Sequence, residues 1–412
     1  MTQDSGLSPL GALPWRRLLL AILIVALSSQ PVFLLAASFL RLEDDIGLTT
    51  ASLGVLTAAF FLTAAITSAP LGRVIERIGW QSAMKVNAVG SAAVLLAIAL
   101  FARSIAAFFV LLVVGGAVYG FANPAANKSL AEQVFPDRRG LIFGLKHAGI
   151  PASTMLAGLA LTLIIVRWDW PVAFALALVL VPVVWVLIVT DRNDGAHIPA
   201  AHEPSRGARR LGRGDLATLA AAAALCTTAA ISLSIFLVEA SVEEASLTES
   251  AAGLLLFAGS LSSILGRMTA GAVTDRAHGR GFASLTVLMG VGSLVFFLLR
   301  PATGAVFIVL VLVAFATGWG WPGMMTFTVV NANTSTVAAS SSITQAGIFL
   351  GAGIGPVLLG LVIERTSFQA SWALVAVALL LAASIVTIVG VRSQRIEPAQ
   401  PSAQPAQRGE GR

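Results

Sequence analysis

The chain has 412 residues, of which 57% are apolar and 11% charged, with a formal net charge of +6 and a mean hydropathy of +0.88. Soluble domains carry about a quarter charged residues, so this composition excludes one and indicates an integral membrane protein. The basic excess sits in short connections between apolar runs rather than in a patch suited to nucleic acid, and the single cysteine, Cys226, precludes an internal disulfide.

From the N-terminus, Met1 to Trp15 is polar, and Arg16-Arg17 then precedes an apolar run. That start has the look of a signal peptide, but the run continues for the length of a full span without a cleavage site, so it reads as an uncleaved first span. Twelve runs are long enough to cross a hydrocarbon core about 30 Å thick. They cover 17–40, 48–71, 80–101, 105–133, 140–166, 171–190, 215–239, 248–274, 281–299, 304–329, 338–363 and 368–391. The expected organisation is a six-helix bundle over 1–190, a cytoplasmic linker over 191–214, a second six-helix bundle over 215–391 and a disordered cytoplasmic tail over 392–412.

Orientation follows from the charges. With both termini cytoplasmic, the inner connections hold Arg16, Arg17, Arg73, Arg77, Lys85, Arg138 and Arg139, while the outer ones hold acids such as Glu43-Asp44-Asp45, Glu243 and Glu244. A bacterial inner membrane with N-in, C-in topology is the expectation.

The chain is written twice. Gly72 to Arg77 reads G-x-x-x-E-R, and 199 positions on, Gly271 to Arg276 reads G-x-x-x-D-R. Gly120 and Pro124 recur as Gly318 and Pro322, and Ala148-Gly149 as Ala346-Gly347, each 198 positions on. Two similar membrane halves are the usual build of a secondary transporter.

The six-plus-six count, the central linker and the two G-x-x-x-[DE]-R strings resemble the major facilitator superfamily. That resemblance implies an all-α fold of 12 transmembrane helices in two pseudo-symmetric bundles. It also implies a gating role for Gly72, Glu76, Arg77, Gly271, Asp275 and Arg276. The first copy departs from the family string in having Glu76 and in following Gly79 with Trp80-Gln81 rather than a basic pair. Asn123-Pro124-x-x-Asn127-Lys128 and Gly144-Leu145-Lys146-His147-Ala148-Gly149 are further similar to bacterial cyanate and small-organic-anion permeases of the superfamily.

Ionisable groups within spans normally face a cavity or a partner. Lys128, Lys146, His147 and Arg267 are the candidates, with Tyr119, Asn123, Asn127, Trp321 and Gln345 as polar company. Each has a plainer alternative. Lys128 reaches the interface or pairs with Glu132 one turn on, and Arg267 pairs near Asp275. On one continuous helix Lys146 and His147 point about 100° apart, so one of them is expected to face a cavity and the other not. Gln345 occupies the repeat position of His147. Unpaired cations attract carboxylates, sulfonates or phosphates, with Arg the better fork for a planar oxyanion.

His147 and Glu239 are the candidates for proton coupling. Glu239 serves only if it reaches the cavity, and otherwise is a solvated acid at a helix end. The chain has no phosphate-binding loop and no cluster of metal-ligand spacing. The expectation is therefore no enzyme, no cofactor and no metal. A monomeric symporter of a small, anionic or polar solute is expected, with a proton as the second substrate and lipid as the surrounding partner. A proton-driven exporter of amphipathic compounds is the alternative.

Overall fold

The computed structural model of the chain describes residues 15–131, 145–191, 211–276, 281–333 and 337–394, which are helical with short turns and no strand. The first half holds α1 (Trp15–Ala37), α2 (Phe39–Ile46), α3 (Thr50–Ile78), α4 (Trp80–Phe101), α5 (Ile105–Tyr119), α6 (Ala122–Ala131), α7 (Gly149–Ala160), α8 (Trp170–Leu176) and α9 (Leu180–Val189). The second holds α10 (Arg213–Glu243), α11 (Glu249–Arg276), α12 (Gly281–Leu299), α13 (Gly304–Ala332), α14 (Val337–Arg365) and α15 (Phe368–Gln394).

Among the described residues, 11 spans are long and apolar enough to cross a membrane, and the fifth expected span contributes the shorter helix Gly149–Ile165. Side chains such as Val110, Leu294 and Val377 face outward in mid-helix, as hydrocarbon permits and water does not. The architecture is the all-helical, twelve-span fold in two six-helix bundles. Residues 392–394 of the expected tail close α15, and the rest of that tail, most of the linker and the 132–144 connection lie outside the described residues.

Local chemistry explains where helices start, stop and break. Thr49 caps α3 by accepting from the Ser52 N–H at 3.2 Å, and Ser104 caps α5 through the Ala107 N–H at 3.2 Å. Gly79 turns the chain from α3 into α4 with φ +80°, a conformation that favours glycine. Two expected continuous spans are interrupted. The fourth breaks at Gly120-Phe121 and the fifth at His147-Ala148, each at or beside the residue four before a proline, Pro124 and Pro151. A proline ring clashes with that carbonyl and cannot bond to it.

Helix contacts are made by small residues. A Cβ on Gly347 would lie 2.0 Å from the Ala220 carbonyl oxygen, and one on Gly351 2.1 Å from that of Ala224, so α14 rides directly on the backbone of α10. In the first half, a Cβ on Gly116 would meet the Phe60 carbonyl oxygen at 2.2 Å, and one on Gly149 the Val25 side chain at 2.6 Å. In lipid such packing is the available adhesive, because apolar surface gains nothing by leaving hydrocarbon.

The halves meet along a seam at the end that carries Glu43 to Asp45. Gly54 of α3 faces the Pro356 carbonyl of α14, and Gly158 of α7 faces that of Gly253 of α11. Polar contacts cross here too. Thr50 donates to Glu239, the Ala51 N–H to Glu364 at 2.8 Å, and Arg41 pairs with Glu249 at 3.2 Å. Thr154 and Ser260 hydroxyls lie 2.6 Å apart. This end is closed.

At the opposite end of the first bundle, Arg17 and Asp191 are bonded at 2.8 Å with both side chains buried. Arg17 also donates to the Ser129 carbonyl at 3.2 Å and lies 5.1 Å over the Trp80 ring. The sequence suggests a topogenic charge and a linker residue, whereas the pair is an internal clamp on α1, α4, α6 and the end of α9. Glu76 of the first motif bonds Lys128 at 2.8 Å within the same half. Glu76 thus ties α3 to α6 of its own bundle. The side chains of Asp275 and Arg276 lie outside the described residues.

Arg17→Ala strands a buried carboxylate and is expected to cost about 3 kcal/mol, seen as a lower thermal midpoint in detergent. Lys128→Ala breaks a pair whose acid is 73% exposed, and its effect is expected to stay within about 1 kcal/mol. Gly351→Leu forces α14 off α10 and is expected to abolish the monodisperse folded fraction on size exclusion.

Candidate functional site

Between the bundles lies a cavity in which about 40 Å³ is open to the centre of a water-sized sphere. Its polar lining is Tyr119, Asn123, Lys146, His147, Arg267 and Gln345, together with Thr227 and the indoles of Trp319 and Trp321. Phe61, Ile231 and Ile348 are among its apolar walls. Each half supplies one cation.

The packing described above sets these groups. Gly266 sits against the Ala316 backbone, which brings its neighbour Arg267 of α11 beside Trp319 of α13. The Arg267 guanidinium carbon lies 5.1 Å from the centre of the Trp319 ring. Arg267 is 2% exposed, and among the described residues none of its three guanidinium nitrogens has a hydrogen-bond partner. The ring face makes no hydrogen bond to the guanidinium edge, whose N–H donors, in the plane of the group, stay available to an acceptor. Trp319 donates to the Ser234 hydroxyl at 3.3 Å, while the buried Trp321 Nε1 has no partner among the described residues.

Across the cavity Lys146 is 5% exposed and donates to the Asn127 side-chain oxygen. Lys146 and His147 both line the cavity, which corrects the expectation that only one faces inward. The assumption of a continuous helix fails at the turn before Gly149. Tyr119 packs on Phe60 and Phe61, with ring centroids 5.3 Å and 6.1 Å away, and accepts weakly from Asn123 at 3.4 Å. Gly116 and Gly120, both pressed on α3, fix its place.

Three candidates fall elsewhere. Asn127 is exposed and acts through Lys146 rather than lining the space. Lys128 is held by Glu76. Glu239 lies in the closed seam, 4% exposed, with one carboxylate oxygen on Thr50 and the other without a partner. It is neither a cavity residue nor a solvated acid. The hydroxyls of Ser28 and Ser29 bond their own helix, to Ile24 and Val25 carbonyls at 2.7 Å and 2.8 Å. Sequence reasoning missed Phe61, Ile231 and Ile348, since nothing in an apolar residue type separates a cavity wall from a lipid-facing surface.

Lys146, His147, Arg267 and Gln345 lie 11 to 14 positions from the seam contacts at Gly158, Gly253 and Pro356, roughly 15–20 Å along a helix. The site is therefore near mid-span, below a closed end. Among the described lining residues there is no Asp or Glu, and no cluster among the described residues suits a metal ion. Chemically the arrangement offers two buried cations, one guanidinium edge, amides and indole N–H groups to an acceptor-rich solute.

The chain matches the model of the family described as Major Facilitator Superfamily twice, over residues 18–238 and 218–411. The two matches span both halves, and the chain belongs to that superfamily of membrane transporters. A search of curated proteins found no match.

A buried cation without a counter-charge opposes folding, and hydrophobic replacement of such groups is often stabilising. Lys146→Met is accordingly expected to raise the thermal midpoint in detergent, by the equivalent of about 1–3 kcal/mol, where Arg17→Ala lowers it.

Proposed function

We propose that this member of the major facilitator superfamily carries a small organic anion across the bacterial inner membrane by alternating access. The carrying observation is Arg267, whose guanidinium is buried in the central cavity with no hydrogen-bond partner among the described residues. Lys146 adds a second cation from the other half, and no described lining residue is acidic. Leaving a buried charge bare costs several kcal/mol, and a carboxylate or comparable oxyanion supplies both the charge and the acceptors that these donors lack. The likeness of the Asn123 to Gly149 region to cyanate and small-anion permeases supports the same class. An exporter of lipophilic cations fits the site poorly, because its cavity would need a carboxylate.

The arginine distribution supports cytoplasmic termini. In that orientation the closed seam faces outward. Alternating access is then a parting of α3 from α14 and α7 from α11 at the seam, with closure at the cytoplasmic end around the same central groups.

Purified protein in liposomes, offered radiolabelled cyanate, acetate, oxalate, malonate and benzoate, is expected to give saturable flux of one or more of these acids. Removing a charge-assisted contact costs about 1.5–3 kcal/mol, or roughly 10- to 150-fold in affinity. Arg267→Gln and Lys146→Gln are therefore expected to raise the half-saturation concentration at least tenfold, and Arg267→Lys to recover only part, since it restores charge without the fork. Flux indifferent to all three variants, or movement of lipophilic cations in place of acids, overturns the anion assignment.

A further inference from the structure

We propose that the anion is an aromatic carboxylate, a flat ring bearing one acid group, held by the rings of the cavity wall as well as by its cations. This rests on the anion reading above and adds to it the body of the solute.

Rings are concentrated at the cavity. Of its 17 lining residues, five are aromatic: Phe61, Tyr119, Trp319, Trp321 and Phe349. In the whole chain the aromatic share is 7%, and Tyr119 is the single tyrosine. Both halves contribute, the first through α3 and α5, the second through α13 and α14. A chain this rich in aliphatic residues has ample material for a soft apolar wall, yet this one is built of broad, stiff faces.

Most of these rings are already committed. Tyr119 packs on Phe60 and Phe61, and Phe61 meets Phe33 at 6.4 Å. Trp319 is fixed by Ser234 at its nitrogen and covered by Arg267. Trp321 stands apart. It is 1% exposed, yet among the described residues its Nε1 meets no acceptor and neither a ring nor a cation stacks on it. A buried indole of this kind, at the wall of a cavity, suits a solute with a π-face and an acceptor beside it.

Size and shape agree. The space open to the centre of a water-sized sphere, about 40 Å³, becomes roughly 150–200 Å³ once the sphere's own radius is added, the room of about six waters. One ring and its carboxylate fit there. The Arg267 fork takes a planar carboxylate, with Lys146 as a point charge. Conjugation keeps that carboxylate in the plane of its ring, so the solute is one flat plate, the shape that stacks on an indole. A dicarboxylate such as malonate satisfies the cations but leaves the rings against water.

The test is titration calorimetry on the purified protein in detergent, where leakage of neutral acids through lipid plays no part. The probes are benzoate, cyclohexanecarboxylate, acetate, malonate and uncharged benzamide. Benzoate is expected to bind at least about tenfold more tightly than acetate or malonate, and at least about threefold more tightly than cyclohexanecarboxylate, which has the bulk without the π-face. In Trp321→Leu the advantage of benzoate over cyclohexanecarboxylate is expected to vanish, and in Trp321→Phe to persist in large part, a split that loss of packing alone does not produce. Acetate or malonate binding as tightly as benzoate, cyclohexanecarboxylate matching it, or an advantage unmoved in Trp321→Leu overturns the aromatic assignment while leaving anion carriage intact. The wild-type comparisons decide the question even where the leucine variant does not fold. Benzamide matching benzoate, or no binding of any acid, overturns the anion reading and this inference with it.

Discussion

Everything in this structure depends on how closely two helix backbones can approach inside hydrocarbon. Lipid gives no hydrophobic reward for burying leucine against leucine, so adhesion comes from surfaces flat enough for carbonyls and Cα atoms to touch. Gly347 and Gly351 on the backbone of α10, Gly116 on α3 and Gly266 on α13 are those surfaces. Each lies within a few residues of a cavity group: Gln345, Ile348, Tyr119 and Arg267 respectively. The same contacts that hold a bundle together aim its side chains, and the site's geometry is a by-product of adhesion.

The two halves use one plan with different endings. Gly149 presses on α1 and Gly347 on α10, the first span of its own half, so the residues two before them, His147 and Gln345, arrive on the same cavity from opposite bundles. Between the fourth and tenth spans the plan diverges. Tyr119 and Asn123 stand on one side and Trp319 and Trp321 on the other. One face offers a hydroxyl and an amide, the other two broad rings, one of which carries the guanidinium of Arg267. Duplication supplied the frame, and divergence within the cavity gave it a polar and an aromatic wall.

Much of the architecture was legible because it is written in periodic apolarity, which needs no partner to interpret. The spans, the central division and the paired motifs follow from hydropathy and repetition alone. What sequence could not show was pairing across distance. Lys128 looks like Lys146 in the chain, yet one is claimed by Glu76 and the other borders the cavity. Arg17 and Asp191 read as ordinary flanking charges until the fold brings them together beneath Trp80. Lys146 and His147 were misjudged for a local reason, since a helical wheel assumes a helix and Pro151 interrupts it. That signal was present in the sequence as the proline itself. Glu239 sits late in a long helix, but its outer neighbours belong to the other half, which no reading of its own span reveals.

The division of the two cations between the bundles has a consequence for cohesion. On the proposed anion reading, a solute held by Arg267 and Lys146 at once would belong to neither half, so its binding free energy would also be a force drawing the halves together. Seen this way the solute behaves as a removable mortar joint: protein prepared in its absence is at its loosest across the seam, and each half alone keeps its helices but not its grip.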